Sequence, residues 1–410
     1  MVGPTAAPTA EPAVPEPTTP YDHEVPGQQP GHSVLSRLIS VTPSTFAGDY
    51  WGRQALLSKA IDLPHPFTDL LDAGAVDELV SERGLRTPFL RVAKAGSTLG
   101  ERAFTAGGGV GASVTDQVSD DKLVRLFADG STLVLQALHR VWPPVLRLCQ
   151  QLAAELGHPV QANAYVTPPQ NQGFGNHYDV HDVFVLQIEG EKKWILHAPV
   201  LESPLRDQPW TDRRTAVEQR AAEPPLLETV LQPGDCLYLP RGFLHAAQAL
   251  GGVSTHLTIG VHVWTGYGIA EQLLSQALQT VAGDPEVRRS LPVGTSFDDA
   301  SGLRSELDAV RAALVRAVEQ VDEERLMQIL QQQSRSASRA APVGPLRQLH
   351  DASALGPDTT VVLRAHLQAT LSTPSGTRTV IQSRAGDFGL TEDEVTSAKL
   401  LLLGEPVPAG

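Results

Sequence analysis

The chain has 410 residues, enough for two or three domains, and at 41% hydrophobic and 19% charged residues it has the composition of an ordinary globular protein with a sizeable core. Its net charge of −14 argues against a general nucleic-acid binder and suits a basic partner. No apolar run approaches the roughly 20 residues of a membrane span, and no basic-then-apolar start marks a signal peptide. The two cysteines, Cys149 and Cys236, make neither a disulfide framework nor a zinc pair, which fits a cytoplasmic protein.

In chain order, residues 1–32 are rich in Pro, Ala, Thr and Glu and should be disordered, because they have little apolar surface to bury. Order should begin near Ser33, where Val34, Leu35, Leu38 and Ile39 fall at helical spacing. Ser44 onward reads as a capped helix start. Residues 65–95 read as helical with a strand at 87–92, the glycine-rich run 107–111 as a turn, and 120–157 as a strand (132–136) beside an amphipathic helix (144–156). The glycine run lacks the spacing of a phosphate loop.

From 159 to 264 the apolar period falls to two, broken by Gly, Pro and Asp turns. This predicts an antiparallel sandwich or barrel with strands at 161–167, 183–189, 192–197, 228–231, 236–239 and 254–264. Residues 265–335 turn helical, with one stripe over Ile269, Leu273, Leu274, Ala277 and Leu278 and another over Leu307, Val310, Leu314, Val318 and Val321. Such stripes need a covering partner, for which a second copy is a candidate. A Ser/Arg/Ala linker at 336–342 precedes a tail in which 366–372 and 377–382 flank a Thr-Pro-Ser-Gly hairpin signal.

The chemistry-bearing stretch is Asn163-Ala-Tyr-Val-Thr-Pro-Pro-Gln-Asn-Gln-Gly-Phe-Gly-Asn-His177-Tyr-Asp179. On extended backbone His177 and Asp179 point the same way. They supply an imidazole and a carboxylate, two thirds of a facial triad, and Gln232-Pro-Gly-Asp-Cys-Leu-Tyr-Leu-Pro-Arg-Gly-Phe-Leu-His245 brings a second histidine after two turns. Two His and one carboxylate leave coordination positions open for a bidentate keto acid and dioxygen. A closed zinc site would require four protein ligands.

Around these residues the segment from about 44 to 264 resembles the JmjC ribosomal oxygenases, a branch of the cupin-like 2-oxoglutarate enzymes. The matching strings are Asn163-Ala-Tyr-Val-Thr-Pro-Pro, Gln172-Gly-Phe, His177-Tyr-Asp179, Phe184-Val-Leu-Gln-Ile-Glu-Gly-Glu-Lys192-Lys-Trp194, Pro233-Gly-Asp235, Pro240-Arg-Gly and His256-Leu-Thr-Ile. The resemblance implies Fe(II) on His177, Asp179 and His245, with Lys192 anchoring the distal carboxylate of 2-oxoglutarate and Asn163 and Tyr165 also binding that co-substrate. A small hydroxyl residue of some relatives falls on Gly260, so its contact is lost or passes to Thr258 or water. Thr258 shares a strand face with His256, Gly260 and His262.

Each of these residues also has an ordinary reading: Lys192 as a strand-edge lysine, Asn163 as a turn cap, Tyr165 as core. His181 reads as a rim residue, His256 as a support to its neighbours, and Trp194, Phe184 and Trp264 as core.

The fold implied is α+β: a double-stranded β-helix (jelly roll) catalytic domain at 33–264, a helical dimerisation region at 265–335, and a partial winged-helix-like region at 345–410. The function implied is hydroxylation of a protein side chain, a ribosomal-protein His or Arg, by a homodimer using Fe(II), 2-oxoglutarate and dioxygen. The lysine anchor leans toward the histidyl hydroxylases. The alternatives are an N-methyl-lysine demethylase, a peptide-tailoring oxygenase and a non-catalytic cupin-like binding protein.

Overall fold

The structure, a computed structural model, describes residues 33–409 apart from 95, 172–173, 299 and 374–377. The Pro-rich segment 1–32, the Gln172-Gly pair of the motif and the centre of the tail hairpin therefore lie outside the described residues.

The first helix is capped by Thr42 rather than Ser44. The Thr42 hydroxyl accepts from the Thr45 N–H, and Pro43 takes the first helical position. Helix α1 (Pro43–Thr45) runs on into a π-helical turn at Phe46–Tyr50, whose Phe46 ring packs edge-on to Tyr238 at 4.8 Å. There follow β1 (Leu56–Ser58), α2 (Ala73–Ser81), β2 (Leu90–Lys94), β3 (Ser97–Thr98), β4 (Thr105–Ala106), β5 (Gln117–Val118), α3 (Asp120–Ala128), β6 (Thr132–Leu135), α4 (Leu138–Val141) and α5 (Pro143–Leu156). The glycine-rich run 107–111 sits in the irregular connection between β4 and β5. Helix α5 forms where Pro starts it and Gly157, at φ 69°, ends it, with Val145, Leu148, Cys149 and Leu152 on one buried face.

The central strands are β7 (Val160–Thr167), β8 (Asp182–His197), β9 (Leu227–Leu231), β10 (Cys236–Leu239) and β11 (Leu244–Val261), with α6 (Arg214–Ala221) between β8 and β9. They belong to an antiparallel sheet ordered β1-β10-β8-β11-β7-β6-β2-β3, with β9 added on β8. One sheet face carries Ala162, Ala164, Phe184, Leu186, Leu257 and Ile259 into the main core against α2 and α5. Each Leu, Ile or Phe among them contributes about 1.5–3 kcal/mol by leaving water. The other face lines the site described below.

One pair of expected strands merges and one strand is longer than expected. The stretches 183–189 and 192–197 are a single strand, β8, and Glu189-Gly190-Glu191 is an irregularity inside it rather than a hairpin turn. β11 starts at Leu244, ten residues before the strand expected at 254, and carries its own register shifts between Leu250 and His256. The two irregularities lie opposite each other and reverse the pleat of both strands. Before Gly190 the inward residues of β8 are odd-numbered (Val183, Val185), and after it they are even-numbered (Lys192, Trp194). On β11 the inward set changes from His245 and Ala247 to His256 and Thr258. Gly190 has φ 64°, and a Cβ there would sit 2.0 Å from the Val253 carbonyl oxygen, so no other residue fits.

Beyond the sheet, α7 (Gly266–Val281), α8 (Arg304–Glu319) and α9 (Glu323–Ala337) cover part of the predicted helical region. Ala277 and Val281 pack on Ala313 and Ala317, while Ile269, Leu274 and Leu278 stay exposed. The tail holds α10 (Pro345–Ser353), β12 (Thr360–Val361), β13 (Thr370–Ser372), β14 (Val380–Ser383), β15 (Gly386–Gly389), α11 (Glu392–Leu402) and β16 (Val407–Pro408). The expected hairpin is β13 paired antiparallel with β14. Among the described residues no helix is long and apolar enough to cross a membrane.

Candidate metal centre

His177, Asp179 and His245 come together although nearly seventy positions separate the last two. One donor atom from each lies within 4.8 Å of the others, and His245 Nε2 stands 3.8 Å from Asp179 Oδ2. The join is a local backbone bridge: His177 N–H donates to the His245 carbonyl at 3.1 Å, and His245 N–H donates back at 2.8 Å. The Asp179 carbonyl accepts from Gly242 N–H at 3.0 Å, so the segment runs antiparallel to the start of β11. Alternation does the rest. Tyr178, between the two donors, points away into an apolar cluster with Val217 and Leu244, and its hydroxyl donates to the Gln208 carbonyl at 3.0 Å.

Both histidines are held by their inner nitrogen. His177 Nδ1 is 2.8 Å from the Gly175 carbonyl and His245 Nδ1 is 3.0 Å from the Phe243 carbonyl. A carbonyl only accepts, so each Nδ1 carries the proton and each Nε2 keeps a lone pair for a metal ion. Burial, then the neighbouring His177, pushes the His245 imidazolium down to about 4, so the ring is neutral at neutral pH. Burial alone would raise the Asp179 pKa, but His181, His245 and His177 together hold it below the usual carboxylate value. Two imidazoles and one carboxylate suit a divalent first-row metal such as ferrous iron.

Across the same cavity stands Lys192, 3% exposed. Its ammonium has Thr167 Oγ1 at 3.1 Å and His256 Nδ1 at 3.3 Å, and no carboxylate within ion-pair distance among the described residues. Burial lowers its pKa from 10.5 to about 7. His256, its own pKa held well down by burial and then by Lys192, is neutral and stacks on Tyr165 with centroids 4.9 Å apart. Among the described residues the buried Trp194 indole N–H also lacks a hydrogen-bond partner. A buried cation and an unused donor beside an open donor triad fit a chelating dicarboxylate, which would supply the missing negative charge.

Of the other residues singled out from sequence, Tyr165 and Thr258 line this cavity. Asn163 lines an adjoining cavity of about 310 Å³, shared with Tyr165, Asp179 and Thr258, and its Oδ1 accepts from Ala137 N–H at 3.0 Å. Gly260 has a steric reason: a Cβ there would lie 2.5 Å from the His181 ring, which occupies the space a side chain would take. His181 stacks on His262 at 5.2 Å and lines the adjoining cavity. Trp194, expected as core, is both buried and part of the cavity wall. Sequence reasoning overlooked Thr167 and Thr132, whose hydroxyls are 3.3 Å apart behind Lys192. Thr167 was within reach, since Asn163, Tyr165 and Thr167 follow at period two on one strand. Cys149 and Cys236 are free and buried, with the Cys149 thiol pushed up to about 12 by burial.

A JmjC domain family model matches residues 137–269, a span that includes all three donors and Lys192. The chain carries a JmjC domain. Ribosomal oxygenase 1 of Gallus gallus is 31% identical over 287 residues, covering 68% of this chain and 45% of that protein. Ribosomal oxygenase 1 of Rattus norvegicus is 37% identical over 170 residues, 41% of this chain and 28% of that one. The bifunctional lysine-specific demethylase and histidyl-hydroxylase NO66 of Drosophila mojavensis is 29% identical over 268 residues, 64% of this chain and 29% of that one. The chain thus spans less than half the length of these curated relatives.

Among solved structures, the JmjC-containing chain is similar to Escherichia coli YcfD, with a TM-score of 0.55 and 16% identity, covering 91% of this chain and 92% of that one. A YcfD structure in complex with cobalt and 2-oxoglutarate gives a TM-score of 0.52 at 18% identity, covering 91% and 99%. At such identity the likeness establishes the fold, an antiparallel cupin-like core with helices.

Proposed function

We propose that this JmjC protein is an Fe(II)- and 2-oxoglutarate-dependent oxygenase that hydroxylates a protein side chain, with His177, Asp179 and His245 as the iron ligands. The observation that carries the reading is the pairing of an open His-Asp-His donor set with an ammonium that is buried, lacks a carboxylate and lines the same cavity. Ferrous iron with 2-oxoglutarate supplies dioxygen activation, with release of succinate and carbon dioxide and transfer of one oxygen atom to a C–H bond of the target.

The chain's own part is positioning. The Gly175 and Phe243 carbonyls keep the two imidazoles in the ligating tautomer. Lys192, with Thr167 and His256 accepting from its ammonium, holds the far carboxylate of the co-substrate. Tyr165 and Thr258 contact the co-substrate from the neighbouring strands, and Asn163 acts from the adjoining cavity. Val183, Val185 and Trp194 keep water from the reacting centre.

The target is a basic ribosomal protein, hydroxylated at a histidine or arginine. The names of the relatives and the chain's net charge of −14 support this. The lysine anchor favours histidine. Residues 33–264 form the catalytic domain, 265–335 a homodimerisation region and 345–410 a winged-helix-like region, and the protein works in the cytoplasm.

One experiment decides the reading. The full chain is incubated with Fe(II), 2-oxoglutarate and candidate basic ribosomal proteins, and the products are read by mass spectrometry with succinate assayed in parallel. A gain of one oxygen atom with stoichiometric succinate is the expected result, abolished in His245→Ala and Lys192→Met. Loss of a methyl group as formaldehyde would assign lysine demethylation instead, an activity in the name of one relative. No product and no succinate would identify a binding protein.

A further inference from the structure

The described residues hold a basic cluster on the side of the molecule where the tail meets α5, and the oxygenase chemistry does not use it. Arg140, Arg339, Arg364 and Arg384 converge on the short segment 338–341. Arg339 Nη1 donates to the Arg140 carbonyl at 3.4 Å, Arg364 Nε to the Ala341 carbonyl at 2.6 Å, and Arg384 Nη1 to the Ser338 carbonyl. These partners are carbonyls. Among the described residues none of the four guanidinium groups makes an ion pair with a carboxylate. In a chain with 46 acidic residues against 32 basic ones, four adjacent cations without a counter-charge are conspicuous. Solvent screens the exposed Arg140, Arg364 and Arg384, and a bound anion would relieve what repulsion remains at the half-buried Arg339. Arg339 feels this directly: burial first, then Arg140, Arg384 and Arg364, hold its pKa below the usual guanidinium range.

Beside the cluster lies a cavity of about 170 Å³. His139, Arg140, Gln150, Arg339, His366 and Gln368 line it, and among the described residues no carboxylate does. His139 Nδ1 accepts from Ala162 N–H at 3.1 Å, which leaves Nε2–H as a donor. Gln150 Nε2 donates to the Arg339 carbonyl at 2.7 Å and Gln368 Nε2 to Ser338 Oγ at 2.9 Å, so both amides brace the arginine-bearing loop. The polar part of the wall is therefore rich in donors and, through Arg140 and Arg339, positively charged, while Leu146, Cys149, Ala153 and Val160 give the rest an apolar lining.

We propose that this cavity binds a small phosphate-bearing anion, gripped by Arg140 and Arg339 with Arg364 and Arg384 completing the positive field. A guanidinium fork matches two phosphate oxygens at once, and arginine rather than lysine throughout the cluster suits that geometry. A single-stranded nucleic acid is the poorer fit, because it needs aromatic stacking platforms and an extended basic groove, and this wall has no Phe, Tyr or Trp. The elements joined are far apart in sequence, 199 positions for Arg140 and Arg339. A bound anion thus ties the tail to the JmjC domain and stabilises the arrangement by mass action.

The test is calorimetric titration and thermal melting of the full chain in sodium phosphate, with sodium chloride at matched ionic strength as the reference. The variants are Arg140→Gln, Arg339→Gln and, as a control, Arg289→Gln, whose guanidinium pairs with Glu286 on the surface. Saturable phosphate binding with a phosphate-specific rise in Tm is expected in the parent and the control. Affinity should fall at least tenfold in Arg140→Gln and Arg339→Gln. The anion-free Tm of Arg140→Gln should equal or exceed the parent's, which separates lost binding from misfolding. Glycerol phosphate distinguishes the sources: tighter binding than inorganic phosphate assigns a phosphomonoester, and equal binding assigns free phosphate. Equal Tm rises in the two salts, or phosphate affinity undiminished in both arginine variants, would overturn the proposal. So would a short single-stranded RNA that binds the cluster more tightly than either small anion.

Discussion

Lys192 concentrates the physical tension of the catalytic cavity. Its pKa is about 7 when folded against 10.5 for the exposed amine, a shift worth about 5 kcal/mol of differential stability. Between these values the unfolded chain holds the extra proton. Stability of the ligand-free protein therefore rises with pH from about 7 to about 10.5, and the penalty is fully present below about 7. Lys192→Met should raise the ligand-free Tm at pH 7 and flatten its pH dependence, while reducing 2-oxoglutarate affinity at least a hundredfold. Melting curves across pH, paired with titration of the co-substrate, check both halves, and a lower Tm at pH 7 would contradict the argument. Carboxylate binding needs the ammonium, so in the parent 2-oxoglutarate affinity should fall about tenfold for each pH unit above 7. Calorimetry in buffers of different ionisation enthalpy should show the accompanying uptake of one proton.

At the scale of elements, the opposed irregularities in β8 and β11 decide which side chains meet. Without them the alternation that brings Val183 and Val185 inward would turn Lys192 outward. Gly190 permits the reversal through its φ of 64° and its approach to the Val253 carbonyl. Gly190→Ala should destabilise the protein by about 3 kcal/mol, because both the backbone angle and the contact forbid a Cβ. It should also weaken 2-oxoglutarate binding more than metal binding, since the triad hangs on the separate His177–His245 bridge. Denaturation together with separate metal and co-substrate titrations measures this, and equal loss of the two affinities would count against it. The strands around the site were legible to within a residue or two at β7, β9 and β10 because one face of each is apolar. The continuity of β8 and β11 was not, because glycine and charge in mid-strand read as a turn.

For the whole molecule, the sheet and its helices account for the cavity, while Ile269, Leu274 and Leu278 of α7 are exposed. The proposed homodimer places this stripe at its interface. Leu274→Glu combined with Leu278→Glu should convert a dimer to a monomer in light scattering while leaving Fe(II) binding intact. A parent that is already monomeric at micromolar concentration would remove the dimer from the proposal.

The sequence alone pointed to His177, Asp179 and His245 as candidate donors, to the two-residue spacing of the first two and to the alternating core, because these depend on residue type and on periods of two that survive without neighbours. Only the tertiary structure decided that Lys192 faces the triad, that Gly260 yields its space to His181, and that Arg140 and Arg339 from distant segments line one cavity with Arg364 and Arg384 close to Arg339. Those facts arise where one strand or loop presses on another, and a chain read residue by residue carries no record of such contacts.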